Sequence, residues 1–333
     1  LFFHQVGKTT FDVPAPTPYN ESNILNLVVD AERDALNTFT ADPTNDPVRM
    51  VINANGAVRD AIQKGASGKI SIEDLFRVLP LGLSPVEKTP NYPLVDFYLV
   101  APELKAALEV GVNQGLQSDS FWLGVSGARI EYDLSRPAFD PAHPTDFTKG
   151  RITKITLTAK TATAGADHNL EATPIFDVTA GNPFPQGAVT PIHLGTSMYI
   201  GLFAEALGVC PRDKTGAQNP VCKACTTQAQ CQGGPAPICA VSAGRCVGGP
   251  PAAFTIRSMG PMSLQPLGPM FPTKEAPNGY ITYPEELKEV FALQLFVQKQ
   301  PNGGTLPMNY NAPVPRRLCC TGSMCGTGRT CAQ

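Results

Sequence analysis

Apolar positions recur along the chain with two periods, and each period predicts a different element. In residues 21–39, ESNILNLVVDAERDALNTF, the positions Ile24, Leu27, Val28, Ala31 and Ala35 fall three and four apart, the spacing of one helical face. Val48 to Ile52 is a short apolar run that predicts a buried strand. SIEDLFRVLP predicts a helix capped by Ser71, with Asp74 at the third position, an Ile72/Leu75/Phe76/Leu79 stripe, and Pro80 as the stop. LVDFYLV (94–100) alternates as a half-buried strand does, and Pro102 opens a helix that turns Leu104, Ala107, Leu108 and Val112 inward.

The alternation slips once. In DSFWLGVSGARIEYDL, Phe121, Leu123 and Val125 share a face, whereas Ile130, Tyr132 and Leu134 have the opposite parity, which predicts a bulge or sharp bend at Ser126-Gly127. RITKITLTA supplies another strand. TSMYIGLFAEALG predicts a helix with Ile200, Phe203, Ala204 and Leu207 inward and Gly208 as its stop. YPEELKEVFALQLFVQKQ predicts a last helix, with Pro284 at its first position and Leu287, Val290, Phe291 and Leu295 as its apolar face. Helices and strands mixed without a strict βαβ repeat imply an α+β fold, a mixed-sheet α/β domain.

Composition changes this picture in one place. Cysteine is absent from residues 1–209, and all ten (Cys210, Cys222, Cys225, Cys231, Cys239, Cys246, Cys319, Cys320, Cys325, Cys331) follow in Gly/Pro-rich sequence. An even count in a stretch with little core of its own predicts disulfide staples and an oxidising compartment: extracellular, cell-surface or periplasmic. Zinc is the rival, since Cys222-x2-Cys225 has ligand spacing, but no second such pair or nearby His completes a tetrahedral set. Three units are therefore expected: a main domain over 1–209 and 250–315, a disulfide-rich insert over 210–249, and a Cys-rich tail over 316–333. The net charge of −2 offers no basic field for nucleic acid, and no apolar stretch is long enough to span a bilayer. Leu1-Phe2-Phe3-His4 lacks the basic start and cleavage site of a leader, so a mature or truncated product is expected.

Candidate chemistry concentrates in VINANGAVRD (51–60). A strand that breaks into Asn53, Asn55 and Gly56 brings backbone N–H groups to a sheet edge as a cradle, and Arg59 adds a planar charge suited to a phosphate or a sugar diol. The competing reading is a salt bridge from Arg59 to Asp60. The four histidines, at 4, 143, 168 and 193, are isolated from one another and read as surface or loop residues.

ESNILNLVVDA, the strand leading into NANGAVRD, ISIEDLFRVLPLG, FYLVAPELKAALE and VSGARIEYDLSRP occur in that order, and together they resemble the C-terminal, substrate-binding domain of the 5'-nucleotidase family. The resemblance runs from about Val6 to Gly208. It implies an N-terminal metallophosphatase domain of the same precursor, carrying two divalent metals. No cofactor is expected in this chain, which is expected to be inactive alone. It also implies a nucleotide-like small molecule as ligand, with Arg59 in the place of the arginine of the family's N-x-G-G-I-R stretch. Glu21, Asn23, Asn26 and Asp30 match the opening E-x-N-x-x-N-x-x-x-D, whose spacing suits capping and tethering.

Two departures stand out. Where the family's P-F-G-N motif places a base-stacking Phe, this chain has Pro80-Leu81-Gly82-Leu83, and the late G-G-D-G-[FY] motif is missing. Tyr199 and Phe203 are the nearest aromatics there, with Phe203 on the apolar face. Trp122, beside the bend at Gly124 to Gly127, is a candidate replacement stacker, against the bland reading of a packed sheet residue. Two functions therefore stay open: a substrate-recognition domain of a secreted phosphate-ester hydrolase, or a non-catalytic surface or protein-interaction module on a degenerate nucleotidase scaffold.

Overall fold

Ser22 starts the first long element, its hydroxyl accepting the Leu25 N–H at the head of α1 (Asn23–Phe39). The computed structural model describes residues 4–40, 42–84, 89–140, 146, 149–160, 165, 169–206, 209, 211–217, 286–311, 317–321 and 323–325, and the backbone alone at 203–206, 238–240, 245–247 and 255–256. α1 is buried almost all round rather than on one face, because it lies between a five-stranded sheet and a second helix, α5 (Glu289–Lys299). Its polar residues Asn26, Asp30, Glu32 and Arg33 are therefore buried as well.

The five-stranded sheet runs β12 (Thr255–Ile256), β4 (Leu94–Leu99), β9 (Ile192–Ser197), β2 (Met50–Ala54), β5 (Leu123–Ser126). Only β2 and β9 are parallel neighbours; the remaining pairs are antiparallel. One face carries α1, α5 and the short α2 (Ile72–Val78), packed through Leu25, Val28, Leu75 and Phe291. α2 has the predicted capping box between Ser71 and Asp74. The opposite face carries α3 (Ala101–Gly115) and a four-stranded sheet of β13 (Leu318–Cys320), β6 (Ala128–Tyr132), β7 (Ile152–Leu157) and β8 (Phe176–Asp177), packed through Leu104, Trp122, Ile130 and Ile155. With both faces covered, Leu94–Phe97 are all buried, so β4 is an interior strand rather than the half-buried one its alternation predicts. A smaller sheet pairs β1 (Gln5–Lys8) with β3 (Lys69–Ser71).

The predicted bend at Ser126-Gly127 is where the chain leaves one sheet for the other. Gly127 has φ +85°, and a Cβ there would stand 2.0 Å from the Arg49 carbonyl oxygen, so only glycine turns this corner. α3 also departs from its predicted face: Lys105 and Glu109 are buried together, 3.1 Å apart, with Glu109 accepting the N–H groups of Arg151 and Ile152 at 2.9 and 2.8 Å.

α4 (Met198–Ala206) follows β9 directly; Leu207 and Gly208 lie outside the described residues. α5 begins at Glu289, five residues after Pro284, which also lies outside them. Leu287 is buried before the helix, its carbonyl accepting Leu94 N–H at 2.6 Å. Of the cysteines, Cys320 and Cys325 are disulfide-bonded to each other, Cys319 is also in a disulfide, and the hairpin of β10 (Ile238–Ala240) and β11 (Arg245–Val247) sets Cys239 opposite Cys246. Cys210, Cys222, Cys225, Cys231 and Cys331 lie outside the described side chains. Residues 318–320, grouped by composition with the tail, form a buried strand parallel to β6.

Candidate functional site

β2 ends at Ala54 and the chain makes a single tight turn, Asn55–Ala57, before Arg59. The Arg59 N–H is fixed to the Val78 carbonyl at the end of α2 (2.9 Å), while its side chain is exposed and makes no ion pair or hydrogen bond among the described residues. Asp60 pairs with Arg77, through Nε at 2.8 Å, and not with Arg59. The guanidinium is thus presented outward from an anchored backbone.

The cradle predicted beside it does not form, because most of its donors are already engaged. Ala54 N–H goes to the Asn53 side chain (2.8 Å), Asn55 N–H to the Trp122 carbonyl (2.9 Å) and Val58 N–H to Asn55 (3.1 Å). Asn55 turns its amide to Asp119 (3.1 Å), and Gly56 is so close to Ser120 that a Cβ would meet the Ser120 carbonyl at 2.8 Å. These residues join two loops rather than face solvent. Trp122 is 1% exposed and set edge-on to Tyr19 and Tyr132, at 6.5 and 6.1 Å, so neither ring face is open; Gly124 lets β5 lie against Leu25.

Aromatic surface comes from elsewhere. Leu81 and Gly82 follow α2, and Gly82, at φ +95°, lies under the Tyr92 ring, where a Cβ would sit 2.4 Å from ring carbons. Tyr92 in turn stacks on Tyr199 from α4, with centroids 5.6 Å apart and planes at 28°. Asn91 (φ +80°) holds the strap, residues 89–93 ahead of β4: its amide donates to the Leu79 carbonyl at 2.8 Å, its N–H to Gly82 at 3.0 Å, and its side-chain oxygen accepts Val290 N–H at 2.9 Å. Burial, then the neighbouring Tyr199 and Glu289, push the Tyr92 phenol up. Leu81 is half-buried and Leu83 exposed beside this pair. Arg59 is thus tied to the end of α2, while the strap is tied to Leu79 and Gly82 just after that helix. Tyr92 escapes a sequence reading because Tyr92 and Tyr199 meet only in the fold.

Beneath the strap is an acidic pair. Asn53, fully buried, donates its amide to Oε1 of Glu32 (2.7 Å) and to Oε1 of Glu289 (3.1 Å). Burial and the charge of Glu289 hold the Glu32 carboxyl well above its ordinary range. Burial lifts Glu289 to about 7, against hydrogen bonds from Asn53, Glu32 and Ser197 that pull it down. Nothing in the heptad-like pattern of α1 marks Glu32 as interior.

The opening acidic and amide residues act as tethers, as their spacing implies. Glu21 accepts the Asn26 amide (2.6 Å) and the N–H groups of Arg317 and Leu318; Asp30 binds Arg317 (2.6 Å), Ser126 (2.6 Å) and Tyr310 (2.7 Å). His193 is not a surface residue: it is 3% exposed in β9, with Nε2 2.7 Å from Asp96 and its ring stacked on Tyr98. His4 is exposed; His143 and His168 lie outside the described residues. Among the described residues no group of three or more His, Cys, Asp or Glu is arranged to hold a metal ion, and no helix is long and apolar enough to cross a membrane.

Comparison with known proteins places the chain. The family model of the 5'-nucleotidase C-terminal domain matches residues 5–182. Human 5'-nucleotidase is 33% identical over 122 residues, 37% of this chain and 20% of that protein, and the rat 5'-nucleotidase is 32% identical over 125 residues with the same shares. The chain therefore spans about a fifth of the length of these curated relatives. Among solved structures, a 5'-nucleotidase precursor from Thermus thermophilus is similar at TM-score 0.41 and 21% identity, covering 60% of this chain and 30% of its own. The NAD nucleotidase of Haemophilus influenzae gives 0.42 and 17%, covering 60% and 29%. With the family model covering more than half of its length, the chain belongs to the 5'-nucleotidase family, whose C-terminal domain it carries.

Proposed function

We propose that this chain is the substrate-recognition domain of a phosphate-ester hydrolase, acting on a nucleotide or a related phosphorylated compound in an extracellular, cell-surface or periplasmic setting. The observation that carries the reading is Arg59: an exposed guanidinium without an intramolecular partner among the described residues, on a backbone tied to the end of α2. A fixed, exposed cation suits an anionic group, and an aromatic surface suits a ring-bearing ligand. Here the aromatic surface comes from Tyr92 and Tyr199, and Leu81 contributes apolar contact. In this reading the hydrolysis lies with a metallophosphatase domain of the same precursor and its two divalent metals. The residues of this chain bind and orient the substrate.

Calorimetric titration with nucleosides, nucleotides and nucleotide sugars tests the reading. Binding of a phosphorylated ligand, weakened roughly 10–100-fold by Arg59→Ala, is expected from the loss of a charge-assisted hydrogen bond. The absence of heat with every ligand favours the second reading, a non-catalytic interaction module. That alternative draws on the inward commitment of Asn53, Asn55 and Trp122, which leaves little polar recognition around Arg59.

A further inference from the structure

Three interior acids of this fold meet a base: Asp30 meets Arg317, Glu109 meets Lys105, and Asp96 meets His193. Glu32 and Glu289 meet each other. One carboxamide nitrogen, that of Asn53, reaches an oxygen of both at 2.7 and 3.1 Å, and both side chains are buried. Two carboxylates this close in a dry site do not both ionise, whereas a single proton between them turns repulsion into a hydrogen bond.

The surrounding groups do not supply a counter-charge. β2 contributes Asn53, β9 contributes the Ser197 hydroxyl, and the strap before β4 contributes Tyr92, a third acid. Arg33, the neighbour of Glu32 on α1, turns to the Thr158 hydroxyl, and Lys288, the neighbour of Glu289, reaches out to Thr89. Among the described residues neither carboxyl has an ion-pair partner.

We propose that Glu32 and Glu289 form a proton-operated latch: one proton held between them draws the start of α5 onto α1, and its loss releases that end of the helix. The consequence reaches the surface through three backbone donors. Glu289 N–H goes to the Tyr92 carbonyl (3.1 Å), Val290 N–H to Asn91 (2.9 Å), and Leu94 N–H to the Leu287 carbonyl (2.6 Å). Release therefore loosens the strap that sets Tyr92 on Tyr199. The latch itself is independent of the recognition reading; only its effect on ligand affinity rests on it.

The direction is fixed by linkage. The closed pair keeps a proton that ordinary glutamates, at 4.5, give up, and Glu289 lies at about 7. Opening thus becomes up to about tenfold more favourable per pH unit between those values and then levels off. Hydrogen–deuterium exchange of residues 289–299, corrected for the intrinsic pH dependence of exchange, reads this directly. In the full chain, protection is expected to fall roughly tenfold or more from about pH 5.5 to about pH 7.5, while α3 changes little.

The double variant Glu32→Gln/Glu289→Gln, which keeps shape and hydrogen bonding with no titrating proton at either position, is expected to abolish that fall. Exchange that is pH-independent in the unaltered chain, or equally pH-dependent in the double variant, overturns the latch. Should that variant fold poorly, infrared detection of a protonated carboxyl near pH 6 in the unaltered chain decides: its absence refutes the shared proton. Titration with adenosine 5'-monophosphate separates the two ideas. Tighter binding at the lower pH supports both, and no binding at either pH removes the recognition reading while the exchange result still judges the latch.

Discussion

Replacing Arg317 with Met removes the cation that Asp30 was folded around. Arg317 is 1% exposed and Asp30 fully buried, with Nη2 to Oδ2 at 2.6 Å, and the second Arg317 nitrogen donates to the Val125 carbonyl at 2.9 Å. Burial by itself raises the Asp30 carboxyl, but the charge of Arg317 and hydrogen bonds from Arg317, Ser126 and Tyr310 outweigh it and leave the group below 3.8. Arg317→Met leaves a buried carboxylate with only two neutral donors, a loss of about 3–5 kcal/mol. Asp30→Asn leaves the opposite orphan and costs a similar amount. The double variant removes both charges, so its cost should fall short of the sum by about 2–3 kcal/mol. Urea unfolding followed by Trp122 fluorescence measures all three, since Trp122 is the sole tryptophan and is buried in the core shared with β13. Additive single costs, with a coupling under about 0.5 kcal/mol, refute the idea that this pair acts as a unit. The pH direction is a second check: with its folded value depressed, Asp30 stabilises above 3.8, and that contribution is lost as pH falls through the folded value.

Other expectations follow from single positions. Arg59→Ala, at an exposed site, should leave unfolding free energy within about 0.5 kcal/mol while weakening ligand binding, as paired denaturation and calorimetry show. Gly82→Ala places a methyl against the Tyr92 ring at a left-handed φ and should cost about 1–3 kcal/mol and change near-ultraviolet circular dichroism. Gly65→Ala, left-handed but with open space around it, should cost about 1 kcal/mol and leave that spectrum intact. Because Glu289 rises from 4.5 to about 7 on folding, its contribution is fully present below 4.5 and declines by about 3 kcal/mol as pH rises to about 7; Glu289→Gln should flatten that part of the stability profile.

Local signals located most elements because caps and periodicity are properties of short stretches. The Ser71–Asp74 box and the parity slip at Gly127 both needed only neighbours to be legible. The start of α5 was misplaced because proline at 284 is a permissive signal, whereas Lys288 and Leu287 are held extended by pairing with the strap. The site was harder. Arg59 stood out as an isolated charge after a strand, but the fate of the backbone donors beside it depends on the loop at Asp119–Trp122, which no local pattern brings near. Trp122 looked available because a bend lay beside it, yet the second sheet covers it. Tyr92, Glu32 and Glu289 gained their meaning only from partners distant in sequence.

The clasp on Asp30 also bears on the order of biosynthesis. Arg317 lies 287 residues downstream of Asp30 and Tyr310 lies 280, so a nascent chain emerging from the ribosome carries α1 long before its charge partners are translated. Until then Asp30 lacks the guanidinium and the phenol that hold it in the finished protein. The clasp on Asp30 can therefore close only once nearly the whole chain has been made.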